Sequence, residues 1–405
     1  MKINIYSEID TLKTVLLHRP GQELENLTPR LLERLLFDDI PYLKVAQQEH
    51  DAFANALRKE GVEVLYLVDL AVETLVQHPD LVNQFIHKFI DESNVKSKTI
   101  HEALFFYLKK MPHEEMILKM ISGIRTHDVS VEKKMSIMDL LEDEYPFYTD
   151  PMPNILFQRD PFSTIGRGVS IHRMHTRTRQ RETLFSELIL NYHKEFGRES
   201  IPIYYHRDAP YTIEGGDILI LNEKTIAIGI SKRTDPRAIE KIAKKVFAND
   251  DKFETILAFN IPKTRAFMHL DTVFTQINHH QFTIHPGILN QLTIFEILKK
   301  EDKIQIKKIT SKLEDILEKH LQCKVELILC GGSDIIDSER EQWNDGANTL
   351  AIAPGTVIVY SRNHKTNQIL RDKGIRVIEI PSSELSRGRG GPRCMSMPIT
   401  RVAKN

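Results

Sequence analysis

Cys394 ends the run Ser386-Arg387-Gly388-Arg389-Gly390-Gly391-Pro392-Arg393-Cys394. Three glycines give that loop a backbone able to bend and approach a ligand closely. Arg389 and Arg393 offer a positive neighbourhood, which favours thiolate over a thiol whose ordinary pKa is about 8.5. This is a setting for a cysteine nucleophile; the plainer reading is a buried cysteine opening a C-terminal strand. Cys323 and Cys330 fall in the alternating run QCKVELILC and read as core or edge residues. His269-Leu270-Asp271 would put an imidazole and a carboxylate on one face of a strand, since side chains alternate with period two. Such a pair can serve as general acid and base near neutral pH, although an isolated His-x-Asp is more often structural. Asp160 stands before Pro161 at the end of Asn154-Ile-Leu-Phe157-Gln-Arg-Asp160, where an Asp-Pro turn is the bland alternative. Glu214 precedes Gly215-Gly216-Asp217, a Gly pair that marks either a tight turn or a close backbone approach. Arg173, Arg177, Arg179 and Arg181 form a basic run. It suits a solvated loop, a phosphate contact, or a bidentate clamp for a carboxylate. There is no Gly-rich phosphate loop and no CxxC pair. His172-x-x-His175 would face opposite ways on a strand, so no metal site is expected.

These residues gain meaning from the elements that must position them. Several stretches share one plan: a polar residue, a short strand, a turn, a returning strand, a helix and a third strand. One copy starts at Asp160, one at Glu214 and one at His269, the last continuing through a longer helical section to Cys330. Another opens near Asn348. A fifth is split between the chain ends: strand Leu12 to Leu17, helix Val45 to Lys59, strand Val62 to Val68, with its opening strand supplied by Cys394 to Thr400. Pairing the last strand with the first unit closes the array and hides a sheet edge. The expected fold is α/β, a five-bladed pseudo-symmetric ββαβ propeller. In such a ring the same strand end always faces the axis, so Asp160, Glu214, His269, Asp271 and Cys394 converge. Between Val72 and Tyr148 the plan lapses: HPDLVNQFIHKFI, KTIHEALFFYLKKM and EEMILKMISGI carry apolar residues at helical spacing. The domain reading is a catalytic α/β unit over 1–71 and 149–405, with a helical domain inserted at 72–148.

The 405 residues are 41% hydrophobic and 27% charged, a balance that argues against disorder. A net charge of −1 provides no global basic field for nucleic acid or anionic lipid. No apolar stretch approaches the roughly 18 residues that span a bilayer. Met1 to Asp10 lacks an apolar signal-like core, and three cysteines suit a reducing compartment. The expectation is a cytoplasmic protein without nucleic-acid or membrane partners.

The segments FQRDPF, RQRET, EGGD with the following Ser-Lys-Arg233, HLDTVF and SRGRGGPRCMSMP together closely resemble the arginine deiminases of the guanidine-modifying (pentein) superfamily. The resemblance covers essentially the whole chain. It implies hydrolysis of L-arginine to L-citrulline and ammonia, the first step of arginine catabolism, through an S-alkylthiouronium on Cys394. It implies Cys394 as nucleophile, His269 as general acid and base, and Asp160 and Asp271 as the carboxylates gripping the guanidinium. Glu214 would support both the His and the guanidinium. Asn154, Arg179 and Arg233 would hold the α-carboxylate side, Phe157 would pack on the aliphatic stem, and Arg389 would belong to a mobile loop. No metal or other cofactor is implied, and the partner is a small-molecule substrate. A homo-oligomer with the helical insertion at a subunit interface is one reading. The alternatives are another guanidine-modifying enzyme (agmatine or methylarginine hydrolase, or amidinotransferase) and a catalytically silent propeller binding RNA or protein.

Overall fold

The computed structural model describes residues 2–131, 145–196, 201–250, 252–264, 266–289, 291–301 and 303–403. It is a mixed α/β fold in which one connection recurs five times. Two antiparallel strands are followed by a helix, and a third strand returns parallel to the second. Strands Phe162–Ile165, Gly168–Ile171 and Ile203–Tyr205 make one such sheet, with helix Glu182–Tyr192 in the crossover. The next is Ile218–Ile220, Thr225–Ile230 and Thr255–Asn260, with helix Pro236–Asn249. Then follow Phe274–Gln276, Gln281–Ile284 and Glu326–Leu329, with helix Leu313–Leu321. Leu350–Ala353, Thr356–Tyr360 and Arg376–Ile380 come next, with helix His364–Asp372. The remaining sheet joins the chain ends: Met397–Val402 pairs antiparallel with Thr11–Leu17, which pairs parallel with Glu63–Tyr66. Leu43–Lys59 is its helix.

Local sequence explains these elements. The parallel neighbours Thr225–Ile230 and Thr255–Asn260 are nearly continuous apolar runs, buried at all but their last residue. That is the pattern of strands covered on both faces. Helix Pro236–Asn249 starts with proline at its first turn, and the Asp235 side chain accepts from the Arg237 amide. Ala238, Ile239, Ile242, Ala243, Val246 and Phe247 then bury one face at helical spacing.

Three expectations are corrected. The section expected as a longer helix is largely a β-hairpin, Thr293–Lys300 with Lys303–Ile309, which extends the neighbouring sheet to five strands; among the described residues, Leu313–Leu321 is its one α-helix. The final strand begins at Met397, so Cys394 lies in the turn ahead of it. His269 and Asp271 are not on a strand either, because Leu270–Thr272 is a 3-10 turn leading into one.

Helices Leu67–Gln77, Leu81–Glu92, Lys98–Lys109 and His113–Ser122 follow the first sheet. Their apolar faces share one core with strand and helix residues of the neighbouring unit, and Phe85 meets Phe185 edge-on at 5.7 Å. Residues 132–144 of the expected insertion lie outside the described residues. No helix among the described residues is long and apolar enough to cross a membrane.

Candidate active site

The five polar residues singled out in the sequence precede their strands on short turns, and the fold brings them together. The Gly pair after Glu214 matters sterically. A Cβ on Gly216 would lie 2.6 Å from the His269 ring, and one on Gly215 would lie 2.0 Å from the Arg159 carbonyl oxygen. Absent side chains there let the His269 turn press against the Glu214 turn. His269 Nε2 consequently lies 2.8 Å from Glu214 Oε2, and its Nδ1 is 3.8 Å from Asp160 Oδ1. Burial alone would push the imidazole down, but Asp160, the Glu214 hydrogen bond and Asp217 outweigh it and carry it up to about 9. His269 is therefore a cation at neutral pH. Glu214 is buried too, which raises its carboxyl, yet Arg233, His269 and Arg179 together hold it well below the usual range.

Two carboxylates flank the space beside this pair. Arg179 Nη1 donates to Asp160 Oδ2 at 3.0 Å, and Arg393 Nη1 donates to Asp271 Oδ2 at 2.7 Å. The other oxygen of each, Oδ1, is buried without a hydrogen-bond partner among the described residues. Two bare carboxylate oxygens are acceptors for a planar cation with several N–H donors.

Cys394 is 4% exposed. Its amide donates to Asn348 Oδ1 at 3.0 Å, and Asn348 Nδ2 donates to the Asp271 carbonyl at 3.0 Å. Asn348 opens the fourth ββαβ unit, so its place in the repeat was the signal; its amide offers no acid–base chemistry, which left it unmarked. Sγ is 3.5 Å from Asp271 Oδ2. The expected positive neighbourhood is not what the thiol meets. Arg393 is wrapped by Glu8 at 3.0 and 3.1 Å as well as by Asp271, and Arg389 turns away toward Asp38. Burial, Asp271 and Asp160 raise the thiol well above its ordinary range, with Arg393 only partly opposing them. Without ligand the sulfur is protonated.

The substrate-side candidates divide. Arg179 is fully engaged, with Glu182 at 2.9 to 3.2 Å and Asp160 at 3.0 Å, and its Nη2 reaches the Asn154 carbonyl at 3.4 Å. Asn154 donates to the Leu35 carbonyl at 2.5 Å. Arg233 donates to Glu214 at 3.1 Å, while its Nη2 has only Met268 Sδ, at 3.6 Å, among the described residues, leaving donors for a ligand. Phe157 stacks with Phe37 and underlies the nucleophile loop so tightly that a Cβ on Gly390 would lie 2.3 Å from its ring. Arg389 lies outside the ring of acids, with its guanidinium 3.6 Å over the Trp343 ring.

Sequence reasoning also missed Asp217. It accepts from the Leu270 amide, Ser231 and Thr234 at 2.6 to 2.8 Å and ties the His269 turn to the loop bearing Arg233. Of the basic run, Arg179 and Arg181 are buried, while Arg173 is half-buried and Arg177 is exposed. Asp160, Glu214 and His269 could crowd a metal, their ligand atoms lying within 4.8 Å. Two guanidinium groups already neutralise those carboxylates, which makes a cation redundant there.

The profile of the family described as Arginine deiminase matches residues 33–401. "Arginine deiminase" of Clostridium perfringens (strain SM101 / Type A) is 53% identical over 404 residues, covering 98% of each chain. That of Borrelia duttonii (strain Ly) is 54% identical over 401 residues, again covering 98% of each. Among solved structures, an amidinotransferase from Microseira wollei in a saxitoxin biosynthetic pathway matches with a TM-score of 0.59 at 16% identity, over 99% of this chain and 98% of that one. DDAH from Pseudomonas aeruginosa, complexed with citrulline, matches with a TM-score of 0.52 at 16% identity, over 96% and 99%. At such identity the structural likeness establishes the shared α/β fold alone.

Proposed function

The chain belongs to the arginine deiminase family, and from that premise we propose that Cys394, His269, Asp160, Asp271 and Glu214 form its catalytic set. The activity is that of an arginine deiminase, a hydrolase converting L-arginine to citrulline and ammonia. The observation that carries the reading is the pair of bare oxygens on Asp160 and Asp271 beside a buried thiol and a cationic imidazole.

A guanidinium is a poor electrophile, so it must be oriented and met by a strong nucleophile. Asp160 and Asp271 would grip its edges through charge-assisted hydrogen bonds. The arriving cation also offsets the acids that keep Cys394 protonated, and the thiol sheds its proton to solvent. The thiolate attacks the guanidinium carbon and gives a neutral tetrahedral adduct. His269 protonates one nitrogen, ammonia leaves, and an S-alkylthiouronium remains on Cys394. The now neutral His269 takes a proton from water, whose oxygen adds to the same carbon. The C–S bond breaks, the added hydroxyl's proton is released, and citrulline departs from a regenerated thiolate beside protonated His269. Arginine, water and these side chains account for every bond and proton, so the scheme calls on no cofactor. Arg233, with its open donors, would hold the α-carboxylate, and Arg179 would fix Asp160 in place. Phe157 would flank the aliphatic stem.

The five ββαβ units are read as a five-bladed propeller over 1–71 and 149–405, with 72–148 as a helical insertion. Bridges Ile5 to Gly166 and Asn4 to Thr400 support closure, because they stitch the N-terminal segment to two units at once.

The test is citrulline formation from L-arginine, with agmatine and methylarginine in parallel, by wild type and Cys394→Ala. Turnover of arginine alone, lost in the variant, is expected. No turnover by folded wild-type protein would remove the reading.

A further inference from the structure

One buried acid near the site takes no part in the chemistry above. Asp345 is 3% exposed and lies between helix Ile335–Trp343 and strand Leu350–Ala353, three residues before Asn348. Neither of its carboxylate oxygens has a hydrogen-bond partner among the described residues. Its backbone is left-handed, with φ of 60°, a conformation glycine or asparagine adopts more readily. Burial drives its carboxyl up to about 7; Asp271 and Asp38 push the same way, while Arg389 and Arg362 pull down. A buried carboxyl without a hydrogen-bond partner and a strained backbone at one position both cost stability, and such features persist where function requires them.

The complementary half lies alongside. Arg389 is 4% exposed, in the loop that leads to Cys394, and is itself left-handed with φ of 57°. Its guanidinium rests on the Trp343 ring, two residues before Asp345. Its polar contacts are long: 3.5 Å to Asp38 and 3.4 Å to the Ala266 carbonyl. Nε is buried without a partner among the described residues. A guanidinium held by a ring face and two long contacts, beside a carboxylate with none, is a pair not yet closed. Both ends of the loop are fastened. Glu49 accepts the amides of Glu384 and Leu385 at 2.9 Å, and Tyr360 donates to the Gly390 carbonyl at 2.7 Å. Arg389 lies in the span between these two anchors.

We propose that Asp345 is a positioning residue for deimination, the acceptor onto which Arg389 closes when arginine fills the pocket, drawing the loop over Cys394. The proposal rests on the arginine pocket described above. The substrate cation offsets the field of Asp271 on Asp345, which ionises, releases its proton to solvent and takes the guanidinium in a bidentate pair.

The experiment measures kcat and KM for citrulline formation and the thermal midpoint in wild type, Asp345→Asn, Arg389→Ala and the double variant. Asparagine keeps the size, tolerates the left-handed backbone and removes the charge. Asp345→Asn should be at least as heat-stable as wild type, yet lose about tenfold or more in kcat/KM, mostly in kcat. The double variant should be no worse than Arg389→Ala, because residues acting as one unit are non-additive. Asp345→Gly, which also relieves the backbone, is the second variant and should behave alike. Full activity in Asp345→Asn, a midpoint that falls in step with its activity, or losses that multiply in the double variant would each overturn the proposal. Inactive wild type would instead overturn the deiminase reading, and the proposal with it.

Discussion

Replacing Glu214 with glutamine keeps the shape of the hydrogen bond to His269 and removes its charge. Four interactions raise His269 against burial, and two of them, the hydrogen bond and the Coulombic pull, belong to Glu214. With the group carried up to about 9, losing those two should carry it down toward its ordinary value of about 6.5, each pH unit of that fall being about 1.36 kcal/mol of differential stabilisation. The freed charges of Arg233 and Arg179, 3.1 and 3.6 Å from Glu214, act in the same direction. The kcat/KM ratio covers the steps up to ammonia release, which need His269 protonated. At pH 8 the variant should therefore lose about tenfold beyond its loss at pH 6, where both imidazoles remain mostly charged. The assay is citrulline formation at low arginine from pH 5.5 to 9.5, with the basic limb fitted for each protein. A wild-type to variant ratio that stays flat across this range, or a basic limb that moves upward, would refute the charge argument.

Asp271→Asn removes the largest charge opposing thiolate formation and releases Arg393. Cys394 should be alkylated by iodoacetamide faster than in wild type at pH 7.5 while arginine turnover falls; slower alkylation would contradict the account. Arg393→Met leaves Glu8 buried without its two ion-pair contacts, so urea unfolding should show a loss of about 3–5 kcal/mol. Glu8→Gln added to that variant should recover part of it, and an unchanged midpoint in the single variant would count against a buried pair. His50 has both ring nitrogens unpartnered among the described residues, and burial, aided by His18, lowers it to about 3. A depressed histidine is neutral in the fold and protonated when unfolded, so its contribution is intact above about pH 6.5 and is lost as pH falls toward 3, about 2 kcal/mol by pH 5. His50→Leu should shrink the difference in thermal midpoint between pH 7.5 and 5, and an equal difference would exclude this group.

The sequence made the repeat legible because strands of β-branched residues and turns of Gly, Pro and Asn recur with the same order around each polar opening residue. Convergence of Asp160, Glu214, His269, Asp271 and Cys394 follows from that order, and the structure brings them together. Where local spacing was ambiguous the reading slipped. Ile294, Ile297 and Leu298 stand at helical as well as strand intervals, and only pairing with Thr255–Asn260 makes Thr293–Lys300 a strand. The partners of the two loop arginines were out of reach for another reason. Arg393 meets Glu8 and Arg389 meets Asp38, acids more than 340 positions earlier in the chain, and no local pattern records such pairings.

That misreading changes the chemistry inferred for the nucleophile. A Gly-Arg-rich loop suggests a thiol activated in advance by nearby cations. In the fold Arg393 is already matched to acids and Arg389 turns away onto the Trp343 ring, while two carboxylates turn bare oxygens toward the sulfur's surroundings. The pocket therefore offers two open acceptor oxygens to a planar group with several N–H donors, and the substrate is itself a delocalised cation. A neutral urea, such as the product, brings no charge to the two acids and leaves the thiol protonated. The same electrostatic imbalance that binds arginine and activates Cys394 thus weakens the hold on citrulline once the guanidinium is gone.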